Sequence, residues 1–308
     1  MKILVTGGSG FIGSHIVDEL SKDKNNKIFI FDIARPDHPI SENVRYIDGD
    51  ICYKTSLDKY IPGCEEVYDC AGVLGTHELV FQTERAIDTN IKGAFNVLQS
   101  CLDNKVKRVF HPTKPFFKSY HENTYTISKI TAENFTRMYK EVYDMDVTIL
   151  RWMNASGPRQ HTYPVRKFIP LAICHSLLNK DIEIYGTGNQ TVDIIDVRDI
   201  ASIAIKSVRS GLGKNQEVYD VGTGFAVSCN EVAKKIIELS KSTSKIKYLP
   251  MRIGEALDTK IVAKTHAELF KKIDLSLQYS YEETLLGCIN YMKTLSKEEL
   301  IKSYNYFQ

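Results

Sequence analysis

The chain has 308 residues, of which 43% are hydrophobic and 25% charged, enough apolar material for one large domain or two coupled ones. Its 40 basic and 38 acidic residues are mixed along the chain, which argues against nucleic-acid binding. Seven widely spaced cysteines without a Cys-x-x-Cys pair predict free thiols in the cytoplasm and no metal site. The first apolar run is too short for a signal peptide, and no run is long enough to predict a membrane span.

The first half of the chain alternates short apolar runs with longer amphipathic stretches, a pattern typical of repeated βα units on a parallel sheet. Apolar residues at helical spacing predict helices with polar faces over 78–103 and 123–143. The predicted strands are 2–6, 27–32, 44–47, 66–69, 107–111 and 147–151. The pattern therefore predicts an α/β fold of the Rossmann type, a doubly wound parallel sheet with helices on both faces.

After Arg151 the pattern loosens, because several prolines interrupt it. Helices are predicted at 165–179, 197–208, 228–240 and 280–295, followed by a solvated helix from Ser296. We expect a first domain over 1–155 that also receives strands or helices from about 190–222. Residues 156–189 and 223–308 then form a smaller C-terminal α/β substrate-binding region.

The first predicted strand runs directly into a glycine-rich turn, TGGSGFIG at 6–13, and an amphipathic helix begins immediately afterwards. Glycine permits the sharp turn and the approach of a pyrophosphate, and Gly13 lets the helix pack closely on the strand. The free N–H groups at the start of the helix then face the anion. This context predicts a dinucleotide site rather than a loop without function. The predicted contacts are Gly7, Gly10, Phe11, Ile12 and Gly13.

Two acidic residues follow the next two predicted strands. Asp32 is placed to accept hydrogen bonds from the adenosine ribose, and its charge repels a 2′-phosphate. We therefore predict NAD as cofactor, although the nearby Arg35 leaves NADP open. Asp50, with Ile51, is predicted to meet the adenine; a turn carboxylate is an equally good interpretation of Asp50.

The glycine turn and a second motif, YTISK at 125–129, together resemble the extended short-chain dehydrogenase/reductase family, and within it the nucleotide-sugar epimerases and dehydratases. Further similar segments occur in the same order, so that the resemblance spans about 1–255. The resemblance implies cofactor contacts from Ala71, Gly72 and Asn90, and a homodimer that pairs the long helices.

Within the second motif, Tyr125 and Lys129 are four residues apart, so a helix places both on one face. The resemblance implies a catalytic tyrosine and a lysine that also contact the cofactor. We expect Lys129 and an oxidised nicotinamide to lower the pKa of Tyr125 from about 10 to about 7, which needs roughly 4 kcal/mol. The alternative is a buried tyrosine and an exposed lysine that merely share a helix.

The same resemblance places the third catalytic group, a hydroxyl that bonds the sugar oxygen, at Thr113. Family 4,6-dehydratases have Asp-Glu directly after this residue and related decarboxylases have a nearby Glu, whereas this chain has Lys114-Pro115. Water elimination therefore lacks an evident acid, which favours simple hydride chemistry.

The resemblance also implies a nucleotide diphosphate sugar as substrate, with its diphosphate held by Asn154 and Arg252. The alternatives are a turn asparagine and a surface arginine. A second family arginine is missing at Val192, and Arg159 and Arg166 are candidates to replace it on chemistry alone. His77 and Glu78 follow the fourth strand, where either sugar contact or a role at a helix start is possible, the second being preferred.

These residues support four hypotheses. The first is an NAD-dependent nucleotide-sugar epimerase that acts through a transient ketosugar, at C4. Its rivals are an NAD(P)H-dependent ketosugar reductase or dehydrogenase, a 4,6-dehydratase, and a silent dinucleotide-binding protein. The partners expected are the sugar nucleotide and a second copy of the chain, without nucleic acid or membrane.

Overall fold

A parallel sheet of seven strands forms the centre of the computed structural model, which describes residues 1–115, 123–215, 217–255 and 259–307. The strands of the described residues are β1 (Lys2–Thr6), β2 (Lys27–Asp32), β3 (Val44–Asp48), β4 (Glu66–Asp69), β5 (Arg108–Thr113), β6 (Val147–Trp152), β7 (Asn154–Ser156), β8 (Ile182–Tyr185), β9 (Thr191–Asp196), β10 (Tyr219–Val221), β11 (Ala226–Ser228) and β12 (Ile246–Leu249). The large sheet has the order β10-β6-β5-β4-β1-β2-β3. The order therefore reverses beside β1, where the carboxyl ends of the strands open a crevice for a ligand.

The helices of the described residues are α1 (Phe11–Ser21), α2 (Lys54–Leu57), α3 (Thr83–Ala86), α4 (Ala94–Asp103), α5 (Thr124–Tyr143), α6 (Phe168–Leu177), α7 (Val197–Arg209), α8 (Cys229–Ser240), α9 (His266–Lys272), α10 (Tyr281–Met292) and α11 (Lys297–Asn305). Short 3-10 turns occupy Glu78–Phe81 and Leu212–Lys214, and a π segment occupies Ile87–Gly93. None of these helices is both long and apolar enough to cross a membrane.

Both faces of the large sheet are buried. Ile3 and Val5 of β1 lie in one apolar cluster with α1 and α7, whereas Leu4 between them lies in a second cluster with α4 and β6. Alternate side chains of a strand point to opposite faces, so β1 needs apolar residues at every position. This confirms the predicted α/β fold class.

Two small sheets, β11-β9-β7 and β12-β8, lie outside the large sheet. Asp193 of β9 is fully buried and accepts hydrogen bonds from the backbone N–H groups of Thr223, Gly224 and Ala263 and from the Thr223 hydroxyl. One carboxylate therefore joins three separate segments, and its charge is compensated by four donors.

Two predicted elements differ from the structure. The stretch 78–103 is not one helix, because a 3-10 turn, α3, the π segment and α4 divide it. The tail from Ser296 is helical but not fully solvated, since Leu300 is buried against the second region and its carbonyl accepts a bond from the Cys174 thiol.

Candidate active site

The glycine turn between β1 and α1 is closed by contacts that leave no room for larger residues. Gly7 has φ +63, and a Cβ there would lie 2.6 Å from the backbone nitrogen of Ala71. A Cβ on Gly13 would lie 2.2 Å from the Gly7 carbonyl oxygen, and one on Gly10 would lie 3.2 Å from it. Helix α1 therefore packs directly on the turn because side chains are absent.

The start of α1 offers donors to an anion. Gly10 caps the helix without any side-chain bond, and helix geometry leaves the N–H groups of Phe11, Ile12 and Gly13 without an intrahelical acceptor. These donors lie at the positive end of the helix dipole, beside a turn that admits close approach. The turn therefore fits the phosphates of a dinucleotide.

Asp32, at the carboxyl end of β2, is tied to this turn. Its Oδ2 accepts a hydrogen bond from the Ser9 N–H at 3.0 Å, and its Oδ1 accepts one from the Ala34 N–H at 3.1 Å. Burial raises the pKa of Asp32 although both bonds oppose this shift. Each oxygen keeps acceptor capacity for a ribose hydroxyl. The guanidinium of Arg35 lies nearby, 5.3 Å from the ring centre of Tyr46.

The residues after β3 have mainly structural contacts. Asp50 Oδ1 accepts a bond from the Cys52 N–H at 2.8 Å, which fits the alternative of a turn carboxylate. The side chain of Ile51 is buried in the core and would meet any Cβ on Gly93. Only the backbone of Ile51 is therefore placed to meet a ligand.

Ala71 and Gly72, after β4, form the opposite wall of the glycine turn. The Ala71 N–H donates to the Thr6 hydroxyl at 3.2 Å. The amide of Asn90 bonds both backbone groups of Val73 and donates to the Ser128 hydroxyl at 3.0 Å. Asn90 therefore positions the loop after β4 against α5, with its donors already engaged.

Helix α5 brings Tyr125 and Lys129 to the end of β5. Asn123 caps the helix, since its Oδ1 accepts a bond from the Thr126 N–H at 2.8 Å. Lys129 Nζ donates to the Pro112 carbonyl at 2.8 Å, one residue before Thr113. The Thr113 hydroxyl is buried and has no hydrogen-bond partner among the described residues. An unpaired hydroxyl beside the Tyr–Lys helix fits a group reserved for substrate.

Burial sets the protonation of Tyr125 in the protein without ligands. Burial raises the pKa of Tyr125 to about 12, and burial also lowers the pKa of Lys129. Tyr125 is therefore a neutral phenol in the protein without ligands, and the predicted decrease to about 7, which includes the charge of an oxidised nicotinamide, stays a prediction for the loaded site. Bringing its pKa from 12 to 7 takes roughly 7 kcal/mol.

A buried network under Lys129 was missed by the sequence analysis. The Thr6 hydroxyl donates to Asp69 Oδ1 at 2.7 Å, and His111 Nδ1 lies 3.0 Å from Asp69 Oδ2. Asp69 opposes the effect of burial on the pKa of Lys129, because its negative charge favours the ammonium. The available signal was a polar residue near the end of each of three neighbouring strands.

Lys114 lies beside Tyr125. Its Nζ is 5.4 Å from the ring centre of Tyr125 and donates to the Thr126 hydroxyl at 2.6 Å. The position after Thr113 therefore holds a cation against Tyr125.

A cavity of about 390 Å³ is lined by residues of 74–85 and by residues between 164 and 307. Arg252 lines it and is no surface arginine, since its side chain is only 14% exposed. Its guanidinium bonds Glu255, lies 3.5 Å from Glu78 Oε1, and sits over the ring of Tyr185. The cavity is lined by Leu74, His77, Glu78, Leu79, Gln82, Arg85, Pro164, Val165, Arg166, Tyr185, Arg252, Tyr306 and Phe307.

Of the remaining residues predicted to bind the substrate, some line the cavity and others do not. Arg166 lines the cavity, whereas Arg159 bonds Asp18 at 2.6 Å and contacts His15 on α1. Asn154 begins β7, opposite Ile194, and is not among the residues lining the cavity.

His77 and Glu78 lie at the start of a 3-10 turn, as preferred from the sequence. Both also line the cavity. Glu78 Oε1 accepts the backbone N–H of Arg166 at 3.0 Å, so this carboxylate fixes the cavity wall as well.

The glycine turn, Asp32 and the Tyr125–Lys129 helix define a dinucleotide-binding Rossmann protein with a candidate redox site. The sequence model of the NAD dependent epimerase/dehydratase family matches residues 3–222, and the chain belongs to this family. This confirms the resemblance and the prediction of NAD as cofactor. The glycine turn fits the phosphates of NAD, and Asp32 fits its ribose.

Similar proteins share most of the chain. It is 27% identical to the low-salt glycan biosynthesis protein Agl12 of Haloferax volcanii, over 94% of this chain and 98% of that one. It is 30% identical to UDP-N-acetyl-alpha-D-glucosaminuronate decarboxylase of Bacillus cytotoxicus, over 81% and 83%. The solved UDP-N-acetylglucosamine 4-epimerase of Methanobrevibacter ruminantium is 28% identical with a TM-score of 0.82, over 95% and 98%. The relatives thus include different reactions on sugar nucleotides.

Proposed function

We propose that this protein is an NAD-dependent epimerase that inverts C4 of a nucleotide diphosphate sugar through a transient ketone. The main support is that the buried Thr113 hydroxyl, which has no partner among the described residues, lies beside the Tyr125–Lys129 helix. Next to Tyr125 the chain has Lys114 instead of an acid. This set serves alcohol oxidation and its reversal, and it lacks an acid for water elimination.

The residues take the following roles. NAD, when bound at the glycine turn and Asp32, would supply the hydride acceptor and donor for the sugar carbon. Tyr125 takes the proton of the sugar hydroxyl and gives it back, so the reaction has no net proton or redox change. Lys129, held by the Pro112 carbonyl, stabilises the phenolate, and Thr113 bonds the reacting oxygen.

The protonation state of Tyr125 depends on whether cofactor and substrate are bound. Burial alone keeps Tyr125 protonated at neutral pH, since its pKa is about 12. Lys114 precedes Tyr125 in the chain and Lys129 follows it, and each contributes a positive charge. The oxidised cofactor adds a third positive charge. We infer that Tyr125 becomes an effective base only in the loaded site, which protects the enzyme from unproductive chemistry.

We also propose the division of labour between the two regions. Residues 1–155 with about 190–222 form the NAD-binding domain, supported by the pairing of β10 with β6. Residues 156–189 and 223–308 form the substrate-binding region, supported by Arg252 and Tyr185 at the cavity. Asn154 and Arg252 remain the proposed diphosphate contacts.

A homodimer through α4 and α5 is part of the proposal. Phe95 of α4 and Phe135 of α5 are both 39% exposed and lie 6.4 Å apart between ring centres. Val142 and Tyr143 extend the apolar surface along α5. An exposed aromatic patch of this kind on two adjacent helices favours pairing with a second copy.

The test uses the purified protein without added coenzyme and a panel of UDP-, GDP-, CDP- and dTDP-sugars, with products identified by NMR. An epimerase interconverts epimers under these conditions, a reductase requires added NADH or NADPH, and a dehydratase releases water. Absence of any turnover contradicts the proposal.

Tyr125→Phe should lower turnover by about 10²–10⁴-fold and retain NAD binding, because it removes only the proton-transferring hydroxyl. Tyr53→Phe is the matched control, since Tyr53 is 65% exposed and should leave turnover unchanged. Full turnover in the Tyr125 variant would refute the assignment of the base.

A further inference from the structure

Arginines dominate the charged lining of the cavity at Arg252, and two carboxylates outside the lining, Glu183 and Glu255, pair with Arg166 and Arg252. Among its described lining residues, three arginines, Arg85, Arg166 and Arg252, face one carboxylate, Glu78. Its volume of about 390 Å³ falls in the range of roughly 300–1,000 Å³ that is usual for small-molecule sites. The cavity therefore fits an anionic ligand of moderate size.

Arg166 is held rigidly at this cavity. Its Nη2 pairs with Glu183 Oε2, and the two side chains are only 10% and 13% exposed. Its guanidinium lies over the ring of Tyr185 at 5.1 Å, as that of Arg252 does. Two guanidinium groups thus converge on one ring, and Arg166 keeps further N–H donors for a ligand.

An aromatic surface adjoins these cations. The Phe307 ring lies 5.1 Å from the Arg166 guanidinium, and the Tyr306 and Phe307 ring centres are 4.9 Å apart. Tyr163 stacks on Tyr306 at 5.1 Å and 22°, which supports it from one side. Both Tyr306 and Phe307 line the cavity, so a planar ring can stack there beside the arginines.

The cavity adjoins the catalytic helix through its Arg252 side. The Asn123 side-chain amide, at the cap of α5, donates to the Gly254 carbonyl at 3.0 Å. The Thr76 hydroxyl donates to Glu255, the partner of Arg252. The segment that carries Arg252 is therefore bonded to the cap of the Tyr125 helix.

We propose that Arg166 is the second phosphate-binding arginine of this protein and that Tyr306 with Phe307 forms the base-stacking surface for a nucleoside diphosphate. The inference rests on the proposed function, of which it names the nucleotide subsite. It assigns to Arg166 a phosphate contact in a chain that has Val192 where the resembled family has an arginine, and it gives the aromatic tail a role in substrate binding.

The test is calorimetric titration with UDP, GDP, CDP, dTDP and inorganic pyrophosphate. Arg166→Gln should weaken binding of the preferred nucleoside diphosphate at least tenfold, since a charge-assisted contact is lost. Arg166→Lys should recover part of the affinity because it keeps the charge without the planar fork. Arg159→Gln, at an arginine outside the cavity, should bind as the wild type does.

Folding is controlled separately, because Arg166→Gln leaves Glu183 without its guanidinium partner. The double variant Arg166→Gln, Glu183→Gln removes both charges and permits an amide pair. If the folded single or double variant binds the diphosphate as tightly as the wild type, the inference is wrong. It is equally overturned if the wild type binds none of the four nucleoside diphosphates.

The role of the aromatic surface is tested by comparing a nucleoside diphosphate with inorganic pyrophosphate. Phe307→Leu should weaken the nucleoside diphosphate at least fivefold through lost stacking and leave inorganic pyrophosphate unchanged, while Phe225→Leu, at an exposed site elsewhere, changes neither. Equal losses for both ligands would contradict base stacking. Arg166-dependent diphosphate binding without turnover of any sugar nucleotide would instead refute the proposed epimerase and leave this subsite standing.

Discussion

Replacement of Gly13 by alanine tests the geometry of the phosphate-binding turn. A helix interior favours alanine over glycine by about 1 kcal/mol. At Gly13, however, the new Cβ would lie 2.2 Å from the Gly7 carbonyl oxygen and 2.9 Å from the Gly8 Cα. These are backbone atoms, so the turn itself must move by about 1 Å, at a cost of about 3 kcal/mol from the upper range for overpacking. We expect a net destabilisation of about 2 kcal/mol.

The same movement displaces the N–H groups that hold the cofactor, so Gly13→Ala should weaken NAD binding at least tenfold. Thermal unfolding with and without NAD measures both effects. Saturation at 100 times the dissociation constant stabilises a protein by about 2.7 kcal/mol, and a tenfold weaker variant loses about half of this gain. The unliganded variant should also unfold several degrees earlier.

Gly287→Ala is the matched control. Gly287 lies within α10, and its Cβ would meet the tip of the flexible Arg198 side chain at 3.2 Å. This variant should be as stable as the wild type or more so, with NAD binding unchanged. If Gly13→Ala binds NAD normally, or if both variants lose stability equally, the steric argument is refuted.

Asp32, His15 and Phe135 support three further predictions. Asp32→Asn removes the charge that faces a 2′-phosphate, so titration should show the NADP to NAD affinity ratio rising at least tenfold; an unchanged ratio would contradict its role. Burial, aided by Arg159, lowers the pKa of His15 from 6.5 to about 3. Between these pH values only the unfolded chain binds this proton, so the free energy of unfolding decreases as the pH is lowered. By pH 5 His15 should cost about 2 kcal/mol, and urea unfolding of His15→Asn should lack this decrease, whereas equal pH profiles would exclude it. Phe135→Glu charges the exposed α4–α5 surface and should yield monomers by light scattering, unlike Phe225→Glu; a persistent dimer would place the interface elsewhere.

Much of the parallel sheet could be predicted because its strands are buried on both faces. Runs such as 27–32 are nearly all apolar and are bounded by polar turns, which leaves little choice of element. The structure has β2 at Lys27–Asp32 and β4 at Glu66–Asp69, as predicted. The glycine turn could be predicted equally well, because its backbone permits only small residues.

Other features depend on tertiary contacts that periodicity does not encode. The stretch 78–103 has a helical pattern, but the helix breaks at Gln82, and Asn90 of the π segment bonds Val73 and Ser128. The rise in the pKa of Tyr125 to about 12 in the protein without ligands could not be predicted, because helical spacing shows proximity to Lys129 and not the extent of burial. The convergence of Arg166 with Arg252 has no sequence signal, since 86 residues separate them.

The return of the chain to its first sheet has a practical consequence for dissecting this protein. Residues between β6 and β10 build part of the second region, yet β10 completes the first sheet and α7 covers α1. A fragment ending near residue 155 would expose Ile200's partners on α1 and leave β6 as a bare sheet edge. Neither region is therefore a separable module, and a hybrid enzyme that exchanges substrate specificity must replace both 156–189 and 223–308 while keeping α7 and β10 with the large sheet.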